Sequence, residues 1–154
     1  MRSRRHSLPA WCRIVRERPE AFERDVLAEN LHVRCPRDAV AALTPRLSRE
    51  EVEVFVVIAL NAQHRMIALH EVTRGIQNCS LVHPREVFRI AIAIGAAAII
   101  VAHNHPSGDP SPSVDDRAVT EKLVAAGRIL DLPVHDHIIV GGGRHTSFAE
   151  SGLL

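Results

Sequence analysis

Cysteine is scarce in this chain of 154 residues, and Cys12, Cys35 and Cys79 are widely separated and odd in number. They supply neither a disulfide framework nor a C-x-x-C thiolate site for a metal. Inert, buried thiols in a reducing compartment are the expectation. An excess of charge of one sign is lacking as well. Nineteen Lys and Arg face eighteen Asp and Glu, leaving a net charge of +1 with the histidines neutral. No bulk pull toward nucleic acid or acidic lipid follows from that balance. Long apolar runs are missing too: the stretch 96–102 is too short and too interrupted to cross a bilayer. The N-terminus carries Arg2, Arg4 and Arg5 but no apolar segment follows, which makes it a poor secretory signal. A cytoplasmic protein is expected. Glycine does not occur before Gly75, and the run Gly141-Gly142-Gly143 lacks the Lys-Ser/Thr of a phosphate loop.

What is present suits a folded domain with a short appendage. Apolar residues make up 46% of the chain and charged ones 24%, an ordinary balance for a protein with a sizeable core. Residues 1–31 read as a basic arm followed by a short solvated helix over 17–31, and 32–154 as the folded domain. A helix is expected from Pro36 through Leu43, with Pro45 ending or bending it. Val54-Phe55-Val56-Val57-Ile58-Ala59-Leu60 is rich in β-branched residues and predicts a buried strand. Met66 to Val72 would complete a hairpin, and a further short strand should end near Val82. Pro84 opens a helix whose apolar face is Val87, Ile90, Ala91 and Ile94. Ala98–Ala102 reads as a central strand. A helix from Ser113 with a stripe of Val119, Leu123, Ala126 and Leu130 follows, then a strand from His135 to Val140 and a last short strand toward Phe148. The class predicted is α/β, one mixed sheet sandwiched by helices.

Ten histidines is a high count, and their placement carries the chemistry. His103-Asn104-His105-Pro106-Ser107-Gly108-Asp109-Pro110 follows the apolar strand directly. Histidines two apart on a strand share a face, and Pro106 ends the strand into a Pro- and Gly-rich loop. Asp116, one turn into the next helix, can return a carboxylate to the two imidazoles. Two nitrogens and one oxygen leave a fourth tetrahedral position open, the donor set of a catalytic zinc site. The plainer alternative is that Ser113 and Asp116 only form a capping box. A second pair, His135-Asp136-His137, has no downstream Ser and Asp at matching spacing. A structural use is expected for it, with His137 pairing with Asp136 or bracing a ligand from behind.

These residues resemble the JAMM motif of the Jab/MPN metalloprotease fold, and specifically its bacterial RadC-type branch. The resemblance rests on Pro84-Arg85-Glu86-Val87-Phe88, on His103 through Pro110, on Ser113 with Asp116, and on Asp136-His137-Ile138-Ile139. It implies that His103, His105 and Asp116 hold one zinc ion and that Ser113 steadies a tetrahedral oxyanion. It also implies a glutamate near the first strand as general base. Glu53, immediately before Val54, is the residue chosen; Glu51, Glu71 and Glu86 are the competitors.

Two functions are carried forward. The first is a zinc-dependent hydrolase of peptide or isopeptide bonds acting on a protein or peptide substrate. The second is a module associated with DNA repair, suggested by the traditional label of RadC-type proteins. Relatives of that kind carry an N-terminal helix-hairpin-helix whose tight turns need glycine. With no glycine before Gly75, such a hairpin is not expected ahead of the metal domain, and only the arm Arg2-Ser3-Arg4-Arg5 could grip phosphates. The hydrolase is the favoured reading.

Overall fold

Two strands without an exposed residue, β1 (Val54–Leu60) and β3 (Ala98–Asn104), form the middle of the sheet. A strand buried on both faces needs an unbroken apolar run, and Val54–Leu60 supplies one. The computed structural model describes residues 31–75 and 82–154. Within them α1 (Pro36–Leu47) leads into β1, and β2 (Met66–Arg74) returns antiparallel beside it. Next come α2 (Pro84–Ala93), β3, α3 (Val114–Ile129), β4 (Val134–Gly141) and β5 (Arg144–Ser147). Strand order is β2-β1-β3-β4-β5; β3 and β4 are parallel and the other pairs antiparallel. The fold is therefore α/β, a five-stranded mixed sheet with three helices among the described residues, consistent with a JAB/MPN-like fold.

The sheet has a core on each face. α1 covers one, where Ala39, Leu43 and Leu47 meet Val54, Val56, Ile58, Ile100 and Ala102. α2 and α3 cover the other, where Val87, Phe88, Ala91, Val119 and Leu123 meet Phe55, Val57, Ile99 and Val101. Neighbours along β1 and β3 alternate between the two cores, as the period of two requires.

Several local expectations change. Helix α1 runs through Pro45 to the buried Leu47. Pro45 sits in the last turn, so its missing N–H and its ring disturb only one bond near the helix end. In α2, Phe88 joins the buried face, while Ile94 forms the half-buried C-cap. In α3 the inward stripe is Asp116, Val119, Thr120, Leu123 and Gly127, and Leu130 is exposed. Gly127 is there for space: a Cβ at that position would lie 2.7 Å from the carbonyl oxygen of Leu132 and 3.3 Å from the Phe88 ring. Cys35 is exposed at the N-cap of α1, contrary to the expected buried thiol. The basic arm, the helix over 17–31 save Leu31, and the strand expected before Val82 lie outside the described residues. Leu31 itself packs against the α1 core.

Candidate metal centre

β3 ends in His103 and Asn104, and alternation sends their side chains to opposite faces. His103 is fully buried on the α2/α3 face, its ring stacked 5.8 Å from Phe55. His105 lies just past the strand, its backbone N–H bonded to the Val140 carbonyl at 2.8 Å. Gly142 accounts for how tightly the following loop is seated, since a Cβ on it (φ +56°) would come within 2.6 Å of the Gly108 oxygen. Backbone lies against backbone there, and left-handed φ at Gly142 costs glycine nothing.

Asp116 enters from α3, buried to 1% exposure. The capping box is present: Ser113 Oγ accepts the Asp116 N–H at 3.1 Å, and Asp116 Oδ2 accepts the Ser113 N–H at 2.7 Å. Ser113 also gives its hydroxyl hydrogen to Oδ2, at 2.7 Å. Capping does not compete with a role in the centre. It fixes the carboxylate with Oδ1 3.1 Å from His103 Nε2 and Oδ2 3.5 Å from His105 Nε2. The two Nε2 atoms are 3.0 Å apart. A tetrahedron with metal–ligand bonds of about 2.1 Å has edges of about 3.4 Å, and one donor atom from each of the three residues lies within 4.8 Å of the others, close enough for one small divalent ion. His103, His105 and Asp116 form the metal-competent group among the described residues.

Burial alone would raise the Asp116 carboxyl, but hydrogen bonds to His103, His105 and Ser113 outweigh it and hold the group ionised far below the usual carboxylate range. The same carboxylate raises His105, against the lowering effect of burial; the Asp109 carbonyl and the charge of Glu53 act in the same direction. His137, completely buried, is pushed well below the ordinary imidazole range by desolvation and is neutral.

Glu53 is half-buried directly before β1, its carbonyl accepting the Gly75 N–H at 2.8 Å. Phe55 pairs with His103 in the antiparallel β1–β3 register, and Glu53, two residues earlier, lies near enough for its charge to act on His105. Glu53 also lines a cleft with Glu51, Val52, Gly75 and Pro106, beside the loop that carries His105. Of its competitors, Glu51 lines the same cleft, and the other two are used elsewhere. Glu71 pairs with Arg74 at 2.8 Å, and Glu86 lies against Arg85 and Arg89 on the exposed side of α2.

Three further residues support the centre: Asn104 and Thr120, not assigned to it beforehand, and His137, in the bracing role that was one of the two expected for it. Asn104, the middle residue of the H-N-H, accepts the Val54 N–H at 2.8 Å and donates to the Val52 carbonyl at 2.9 Å, tying down the segment that bears Glu53. His137, from the second H-x-H, places Nε2 2.9 Å from His103 Nδ1. Thr120, one turn beyond Asp116, places Oγ1 2.6 Å from His137 Nδ1. An amide between two histidines was the available signal for Asn104, and i, i+4 spacing from Asp116 the one for Thr120. Asp136 does not pair with the His137 ring. Its carboxylate accepts the His137 backbone N–H at 2.8 Å and the Ser147 hydroxyl at 2.6 Å, and faces the other way.

A mixed sheet with two histidines at the end of a central strand and an aspartate on the next helix defines a JAB-type domain with a candidate metal centre. The chain belongs to the RadC-like JAB domain family, whose model matches residues 33–153. It is 51% identical over 119 residues to a UPF0758 protein of Symbiobacterium thermophilum, covering 77% of this chain and 51% of that protein. A UPF0758 protein of Methanosarcina acetivorans is 43% identical over 77% of this chain and 52% of its own length. One from Caldanaerobacter subterraneus is 46% identical over 80% and 53% respectively. The chain thus spans about half the length of the curated relatives it matches.

Proposed function

We propose that this domain is a zinc-dependent hydrolase of peptide or isopeptide amide bonds. The observation carrying the metal is a mismatch of hydrogens. His105 Nδ1 lies 2.7 Å from the Asp109 carbonyl, which can only accept, so that nitrogen holds the proton and Nε2 of the neutral ring is a bare lone pair. That lone pair, a second imidazole nitrogen and an ionised carboxylate converge within 3.0–3.5 Å. Electron pairs packed this closely call for a cation among them. The donor set, two imidazoles and one carboxylate, suits zinc and leaves a coordination position for substrate or water.

Zinc bound there supplies Lewis acidity and a nucleophile at neutral pH. The protein's part is positioning and proton transfer. Ser113 turns its hydroxyl hydrogen from Asp116 to the carbonyl oxygen of the scissile amide as negative charge develops there. A groove bounded by Leu47, Glu50, Pro106, Gly142 and Arg144 lies beside His105, and we take it as the place where a protein or peptide substrate is received.

The test is metal analysis of the purified chain together with cleavage of peptide and isopeptide conjugates, for wild type, His103→Ala and Glu53→Gln. Stoichiometric zinc, lost with His103→Ala, and cleavage lost with Glu53→Gln while zinc stays, is the expected result. A wild-type chain that takes up no zinc overturns the reading.

A further inference from the structure

His103 meets Asp116 and His105 through Nε2, and its other nitrogen, Nδ1, points away from the centre into the core. Behind it runs a chain of three contacts, each short enough to be a hydrogen bond: His103 Nδ1 to His137 Nε2 at 2.9 Å, His137 Nδ1 to Thr120 Oγ1 at 2.6 Å, and Thr120 Oγ1 to the Asp116 backbone oxygen at 2.6 Å. Only the last has a fixed direction. A carbonyl oxygen cannot donate, so the single hydroxyl hydrogen of Thr120 is given to Asp116. Thr120 Oγ1 must then accept from His137, which places the His137 proton on Nδ1. His137 Nε2 is left as an acceptor, and His103 must donate to it from Nδ1. In the neutral ring the lone pair of His103 therefore lies on Nε2, facing Asp116 and His105.

We propose that Thr120 and His137 are positioning residues that fix the tautomer of His103 and thereby set the affinity of the centre for its metal ion; this rests on the metal reading given above. The direction is dictated at one end by a main-chain carbonyl of the residue whose side chain is the third ligand. Helix geometry thus links two ligands through the back of the site. The rings are also held in place: Phe148 stacks on His137 at 4.7 Å, and Phe55 meets the His103 and His137 rings at 5.8 and 5.6 Å. Thr120 and His137 are both buried, with no exposed surface on the His137 ring to let water reverse the chain.

Long-range ¹H–¹⁵N spectra of the labelled full chain, with zinc and with EDTA, report each imidazole tautomer directly. His103 and His137 are both expected to carry a proton on Nδ1 in each condition; a bare Nδ1 on either ring, or a proton on Nε2 of His137, in the zinc-free chain overturns the proposal. Zinc affinity, measured by competition with a chromophoric chelator, supplies the second readout. Thr120→Val, which keeps the shape and removes the hydroxyl, should weaken zinc binding about 10- to 100-fold. Thr120→Ser should restore it to within about twofold. If Thr120→Val does not fold, His137→Gln, whose carbonyl still accepts from His103, should bind zinc more tightly than His137→Leu. Equal affinities in either comparison overturn the proposal. A wild-type chain that binds no zinc at all defeats the metal reading instead, and the zinc-free tautomers then decide the relay alone.

Discussion

The side chain of Asn104 accepts the backbone N–H of Val54 at 2.8 Å, joining the strand that carries His103 to the start of the strand that Glu53 precedes. The same amide donates to the carbonyls of Val52, at 2.9 Å, and Glu50, at 3.4 Å. The side chain of one buried residue thus holds the segment that carries Glu53. Asn104→Ala leaves a buried N–H unpaired and should cost about 1–3 kcal/mol of stability. Zinc content should remain that of wild type while cleavage falls, which metal analysis, chemical denaturation and the conjugate assay measure on one preparation. Loss of zinc in this variant would place Asn104 in the ligand scaffold instead.

Asp116→Asn retains the size of the side chain and an oxygen for the cap, but removes the charge that faces both imidazoles. Zinc binding should weaken by two orders of magnitude or more, and thermal stability in EDTA should fall as well, because the carboxylate's bonds to both imidazoles stabilise the metal-free chain. For wild type, saturating zinc at about a thousand times its Kd adds about 4 kcal/mol. That corresponds to a rise in Tm of about 10 °C for a chain of this size. The difference between melting curves in zinc and in EDTA should vanish in Asp116→Asn.

Zinc uptake should depend on pH in one direction. The metal-free protein holds a proton on His105 more tightly than an unfolded chain does, chiefly because Asp116 accepts it. That proton must leave before His105 can bind zinc. Affinity should fall as pH drops through and below the ordinary imidazole range near 6.5, with release beginning above that value. The stabilisation from His105 in the metal-free chain has the opposite sense, present at low pH and lost as pH rises through the raised value. Asp116, held low, keeps its contribution until pH falls beneath the usual carboxylate range. Zinc titrations followed by calorimetry in two buffers of different ionisation enthalpy would count the released proton. Uptake independent of pH between 5 and 8 would contradict this account.

Gly127→Ala tests the packing of α3. Alanine gains about 1 kcal/mol of helix propensity over glycine. Its Cβ would sit 2.7 Å from the Leu132 backbone oxygen, however, and a main-chain atom cannot swing aside. Overpacking of this kind costs about 1–3 kcal/mol, so Tm should fall. A stabilised variant would mean that the α3–β4 connection yields easily.

The amino-acid sequence by itself determined the class of fold and the trio of residues that could hold a metal ion. A seven-residue apolar run can satisfy both faces only in the middle of a sheet, and an H-x-H at the end of a second such run must place two imidazoles at the sheet's edge. What the tertiary structure decided is the back of the site. In the parallel pairing of β3 with β4, Ile99 lies opposite Val134 but Ile100 lies opposite Asp136. The extra residue, His135, shifts the phase by one, and a shift of one exchanges the two faces of a strand. Without it His137 would lie opposite Ala102 and face α1; with it His137 lies opposite Val101 and its ring reaches His103 from behind. Nothing in the pattern of residues marks that bulge, because it arises from how two distant segments pair.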